Sequence, residues 1–181
     1  MKLRSLVSVL FLSVFTLALA GCGDQATADD PNMIAATDYE SVLGWQPGSD
    51  AVTRDHAHSG RYAVVVAPGH DFAGGYGMPI GKATARKPHK LHLEGWGYMT
   101  DNKSAARLSL QLLDPATGKE TFGDGIDYTA AIKEPKKWTK IEKDVVLPET
   151  TASTYELRVF LWRANAETPA YLDDLRISLV D

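Results

Sequence analysis

From about Met33 onward, apolar and polar positions alternate in short runs. In Lys90 to Met99, Leu91 and Leu93 share one parity, continued by Gly95 and Gly97, and His92, Glu94, Trp96 and Tyr98 share the other. In Arg107 to Leu113, Leu108, Leu110 and Leu112 oppose Arg107, Ser109 and Gln111. In Tyr155 to Trp162, Tyr155, Leu157, Val159 and Leu161 oppose Glu156, Arg158, Phe160 and Trp162. Side chains alternate across a strand, so each run predicts a strand with one aliphatic face. The second face of each mixes aromatics with arginines, acids and amides, which is not the composition of a merely solvated surface. Gly, Pro, Asn and Asp clusters punctuate the runs, as at Pro47-Gly48-Ser49-Asp50, Pro68-Gly69-His70-Asp71 and Asp114-Pro115-Ala116-Thr117-Gly118. No helical period lasts beyond about two turns, with Tyr128 to Glu134 the one short helix expected. Many short strands between turn clusters predict an all-β chain folded as an antiparallel sandwich or barrel.

The first residues follow a different pattern. Lys2 and Arg4 precede an apolar run from Leu6 to Ala20, broken only by Ser8, Ser13 and Thr16. That run is shorter than the roughly 20 residues of a membrane span and reads as an export signal. It ends Leu19-Ala20-Gly21-Cys22, and Cys22 is the only cysteine. These residues resemble the lipobox of bacterial lipoproteins. The resemblance implies a signal peptide over 1–21, cleavage before Cys22, a diacylglycerol on its sulfur, and acylation of the new amino terminus by a palmitate-class chain. The alternative is an ordinary signal cut near Ala20. Residues 22–33 then form the lipidated terminus and a small, polar, acidic tether, and 34–181 form one domain. Gly23, rather than Asp, follows the cysteine, so the resemblance places the protein in the outer membrane if the cell has two membranes.

Composition narrows the partners. The formal charge is −4, and losing Lys2 and Arg4 makes the domain more acidic still. With no basic stripe, phosphate contacts to nucleic acid are excluded as a binding mode. One cysteine permits no internal disulfide. The sequence names no protein partner.

The mixed faces suit carbohydrate. A saccharide ring presents a C–H face that stacks on Trp or Tyr, and a hydroxyl rim that exchanges hydrogen bonds with Arg, Gln, Glu and His. Trp96, Tyr98, Phe160 and Trp162, with Arg107, Gln111, Arg158, Glu94 and His92, supply that set provided their strands share a sheet. An exposed aromatic patch of this kind marks a binding surface. The alternative is that a loop covers the face and the aromatics form a minor core.

A second signal lies near the C-terminus. In Tyr171-Leu172-Asp173-Asp174-Leu175, Asp173 shares parity with Leu175, Ile177 and Leu179, which predicts an inward carboxylate. A buried carboxylate is costly unless paired or metal-bound. Calcium, or hydrogen bonds from backbone or an arginine, would answer it.

Together Asp38-Tyr39-Glu40, Gly44-Trp45, Ala57-His58-Ser59-Gly60-Arg61-Tyr62-Ala63-Val64, Leu91 to Tyr98, Trp138-Thr139-Lys140 and Tyr171 to Leu175 resemble the carbohydrate-binding modules of families four, nine and twenty-two. That resemblance implies a two-sheet antiparallel β-sandwich, a galactose-binding-like jelly roll. It also implies a structural calcium with Glu40 and Asp173 as side-chain ligands and carbonyls around His56 to Arg61, Asp55 being a further candidate. It further implies a glycan cleft on the concave sheet. The expected function is a non-catalytic domain for a polysaccharide or oligosaccharide. The rival is an envelope scaffold docking a protein, and third comes a glycan-active lyase or hydrolase. Glu94 and Glu156 would be its acid pair, but no motif accompanies them. His56 and His58 lie in a predicted turn without a third imidazole nearby, which favours solvated histidines over a metal site.

Overall fold

The alternating runs form strands. The computed structural model describes residues 30–41 and 49–180, so Cys22, the signal, most of the tether and Trp45 lie outside the described residues. The strands are β1 (Met33–Thr37), β2 (Val52–Thr53), β3 (Ala63–Val66), β4 (Phe72–Pro79) and β5 (Lys90–Met99). They continue with β6 (Arg107–Asp114), β7 (Lys119–Asp127), β8 (Thr139–Val146), β9 (Glu156–Trp162) and β10 (Ala170–Leu179). Two four-residue helices interrupt them, α1 (Ile80–Ala83) and α2 (Tyr128–Ala131). The helix expected over Tyr128 to Glu134 is thus a single turn, anchored by the fully buried Tyr128.

All pairings between the strands are antiparallel. One sheet runs β2-β3-β10-β5-β8, with β1 also on β10, and the other runs β4-β9-β6-β7. The aliphatic parities meet between them. Leu91 and Leu93, Leu108 and Leu110, Val159 and Leu161, and Leu172 and Ile177 are all fully buried. Gly97 occupies a core position of β5, where a Cβ would stand 3.0 Å from both Tyr128 and Ile132. The missing side chain is what admits α2 to the core. The architecture is the expected two-sheet jelly-roll sandwich.

Strand β10 carries an irregularity that matters for the acids. Its register with β5 shifts between Asp173 and Arg176, and Asp174 sits at φ 48°. Upstream of this bulge Ala170 and Leu172 face the core; downstream Leu175, Ile177 and Leu179 do. Asp173 pairs with Trp96 and therefore belongs to the outward set. The expectation that it points into the core is corrected: a bulge adds a residue and inverts parity beyond it.

Candidate functional site

The sheet topology divides the predicted glycan residues into two groups. His92, Glu94, Trp96 and Tyr98 lie on β5, in the six-stranded sheet, whereas Arg107 and Gln111 on β6 and Arg158, Phe160 and Trp162 on β9 lie in the four-stranded one. The core faces of the two sheets meet, so their outer faces look in opposite directions. The expected single surface is corrected accordingly: alternation fixes a side of a strand, but not the sheet to which that strand belongs. The same division separates Glu94 from Glu156, and a glycosidase pair built from them is excluded.

On the six-stranded sheet the turn after β2 covers the aromatics. The His58 ring stacks on Trp96 at 3.8 Å with planes 13° apart, and His56 stacks on Tyr98 at 4.6 Å and 24°. Trp138 meets His58 edge-on at 5.7 Å, and Tyr171 meets His56 at 4.8 Å. The alternative of a minor core under a loop therefore holds for Trp96 and Tyr98.

Three acids fasten that turn. Asp173 is fully buried, and its Oδ2 accepts the amides of His58 at 2.8 Å and Ser59 at 3.1 Å. Asp174 accepts Ser59 Oγ and pairs with His58 Nδ1, both at 2.7 Å. Glu40 Oε1 accepts the amides of Arg61 and Tyr62 at 2.7 and 2.8 Å. Burial pushes the Asp173 carboxyl up to about 6, against the Ser59 and His58 amides and with the Asp174 charge adding to it. Close by, the hydroxyl of Tyr39 is buried without a partner among the described residues. Burial, then the Asp173 and Asp174 charges, hold its pKa well above the ordinary value. The chemistry of the carboxylates and of the unsatisfied Tyr39 hydroxyl, oxygen throughout, is that which a hard cation takes, while Glu40 Oε1 and both Asp173 oxygens accept backbone amides.

The four-stranded sheet keeps an open face. Its register builds three outward rows across the strands. Phe72, Trp162, Arg107 and Asp127 form the first; Gly75, Phe160, Ser109 and Gly125 the second; Gly77, Arg158, Gln111 and Gly123 the third. Phe72 is 63% exposed and meets Phe160 edge-on at 5.7 Å. The glycines remove the side chains that would otherwise fill the second and third rows. Beside Trp162 this leaves a trough of about 240 Å3, lined by Arg107, Ser109, Gln111, Glu120 and Gly123 among others. A Cβ on Gly125 would stand 2.2 Å from the Leu108 carbonyl oxygen, and one on Gly123 2.2 Å from Glu120 Oε1. Glu120 escapes an alternation count on three strands, because it joins the face only through pairing, whereas Asp124 pairs with the core-facing Leu110 and accepts from Lys143 of β8 at 2.6 Å.

The polar rim is prearranged. Gln111 Nε2 donates to Glu120 Oε2 at 2.7 Å, which leaves its carbonyl oxygen to accept from a ligand. Arg107 donates to Asp127 at 2.7 Å and lies 3.7 Å from Asp124. Arg158 grips Glu156 through two bonds of 2.9 Å, and this hydrogen bonding holds the Glu156 carboxyl below its ordinary range. At Asp124 burial works upward, but the Lys143 hydrogen bond and the Gly125 amide outweigh it and leave the carboxyl lowered.

No protein-family model and no curated protein matches the sequence. Solved structures do. The C-terminal family 22 carbohydrate binding module of Clostridium thermocellum Xyn10B aligns over 83% of this chain and 95% of its own, at TM-score 0.57 and 14% identity. A xylan-binding domain of carbohydrate-binding module family 22 aligns over 83% and 96%, at TM-score 0.56 and 14% identity. The N-terminal tandem of two such modules from Paenibacillus barcinonensis Xyn10C gives TM-score 0.58 and 15% identity over 83% of this chain and 51% of the tandem. The chain has the carbohydrate-binding-module jelly-roll fold.

Proposed function

We propose that this chain is a non-catalytic carbohydrate-binding protein of the cell envelope, and that the outer face of its four-stranded sheet takes the glycan. One observation carries the reading: the exposed ring of Phe72 and the half-buried rings of Phe160 and Trp162 share one outer face, whose trough, beside Trp162 and over Gly123, is rimmed by Arg107, Gln111 and Glu120. Rings supply rigid stacking area, and the rim supplies donors and acceptors for hydroxyls. The xylan-binding domains that share the fold support a polysaccharide ligand and make xylan the first to try. The structures that share the fold are binding modules by their names, which supports binding without cleavage.

Affinity electrophoresis of the full chain through polysaccharide-containing gels tests this. Wild type is expected to be retarded by at least one polysaccharide, and Trp162→Ala to lose the retardation at an unchanged melting temperature. Trp96→Ala, on the opposite sheet, is expected to keep it in whatever fraction folds. Wild type that no polysaccharide retards overturns the reading in favour of a protein docked on this face.

Two further parts belong to the proposal. Calcium held by Glu40 and Asp173 would tighten the His58–Tyr62 turn, a role supported by the oxygen chemistry of these donors and by the unsatisfied Tyr39 hydroxyl. Acylated Cys22 would hold the domain at a membrane, with outer-membrane sorting through Gly23 if the cell has two membranes.

A further inference from the structure

The outer face of the six-stranded sheet carries a charged cluster that glycan binding does not use. His92 and Glu94 lie two apart on β5 and share a face. Across the strand gap Glu142 pairs with Glu94, and Asp144 with His92. Like charges directly opposite each other destabilise a sheet, so the Glu94–Glu142 pair calls for a cation. Two donors on one strand and a third on its neighbour bring His92, Glu94 and Glu142 together, with one ligand atom of each within 4.8 Å of the others. His92 Nε2 stands 3.7 Å from Glu94 Oε2. That is close to the edge of a zinc tetrahedron, roughly 3.4 Å for ligands about 2.1 Å from the ion.

The imidazole is already oriented. Its Nδ1 lies 2.7 Å from Asp144 Oδ1. An ionised carboxylate has no proton to give, so Nδ1 carries the hydrogen. That leaves Nε2, across the ring, as the atom turned toward Glu94 Oε2. A carboxylate behind a histidine is the usual outer partner of a ligating imidazole. Lys140 shows where a cation sits, with Nζ 2.9 Å from Glu94 and 2.8 Å from Glu142. Its side chain is 48% exposed and has room to withdraw into water. The remaining charges facing the cluster are Lys90, 3.2 Å from Asp144, and Arg176, 3.8 Å from the other Glu94 oxygen.

We propose that His92, Glu94 and Glu142 form a binding site for a divalent first-row transition ion of the zinc class, with Asp144 orienting the imidazole and Lys140 as the cation displaced. A nitrogen with two carboxylates suits zinc, cobalt or nickel better than calcium or magnesium, which prefer oxygen alone. Three protein ligands leave a position for water. The site lies on the sheet opposite the proposed glycan face and is independent of that reading.

Cobalt(II) titration followed by visible absorption tests the site. It uses the full chain carrying Cys22→Ser, so that a free thiol does not compete. A saturable band at one equivalent is expected, bleached by zinc. His92→Ala and Glu142→Gln should each lose it, and Asp144→Asn should weaken binding about tenfold. Lys140→Ala should bind more tightly, because the competing ammonium is gone. A band that survives in folded His92→Ala overturns the assignment by placing the ion elsewhere. Should His92→Ala fail to fold, Lys140→Ala still decides: no saturable band in it or in the parent at millimolar cobalt overturns the site.

Discussion

Trp96 and Trp162 are the same residue type, each at an outward position of its strand, yet their surroundings assign them different work. Trp96 lies under the His58 ring at 3.8 Å and glues the turn to the sheet. Trp162 stands across from Phe72 at the open edge of the trough. Core Trp→Ala changes cost about 3–5 kcal/mol. Half-buried Trp96 should cost less, on the order of 2 kcal/mol, enough to lower the melting temperature of a domain this size by several degrees. Thermal unfolding followed by circular dichroism checks this. A wild-type melting temperature in Trp96→Ala would show that the His58 stack contributes nothing. The sequence made both tryptophans legible as outward-facing, because alternation is local. It left their sheets illegible, because pairing of β5 with β10 and of β9 with β6 joins residues far apart along the chain.

At the scale of elements, β7 and the β10 bulge shape the two outer faces. Gly125 lets β7 lie against β6 so closely that any Cβ would strike the Leu108 carbonyl. Overpacking of this kind costs typically about 1–3 kcal/mol. Gly125→Ala should therefore lower the denaturation midpoint without a change in slope, and should weaken glycan retardation as β7 shifts. An unaltered midpoint would mean that β7 yields freely. The bulge was not legible: Asp173 has a core-like parity in the sequence, and only the register shift beside Asp174 moves it outward under the turn. The outcome is the buried carboxylate that the sequence predicts, reached from the other side of the sheet. An ion that binds only the folded state stabilises it by about 2.7 kcal/mol at a hundredfold excess over its Kd. Chelation should lower the melting temperature of wild type, and Asp173→Ala should lose that response. Wild-type melting that ignores chelator, with no calcium by metal analysis, would leave the turn held by the hydrogen bonds of Glu40, Asp173 and Asp174 without an ion.

For the whole molecule, alternation and turn clusters made an all-β sandwich or barrel legible, and the family resemblance narrowed it to a two-sheet jelly roll; β4 and β7, rich in glycine and without an aliphatic parity, gave no such signal. Its attachment rests on a different kind of signal. The apolar run before Cys22 carries no core parity, and the sole cysteine closes a box of small residues at the place where a lipoprotein is acylated. One acyl chain gives only marginal, reversible membrane binding, whereas two or more anchor stably. The anchoring proposal therefore requires the thioether-linked diacylglycerol and depends on a single sulfur. In cells fed a labelled fatty acid, wild type should take up label and sediment with membranes. Cys22→Ala should do neither, while its domain, which contains no other cysteine and needs no disulfide, keeps the wild-type melting temperature. Labelled Cys22→Ala would place the lipid on another residue. An unlabelled wild type released into the soluble fraction would make the segment an ordinary export signal and the protein a free envelope or extracellular binder.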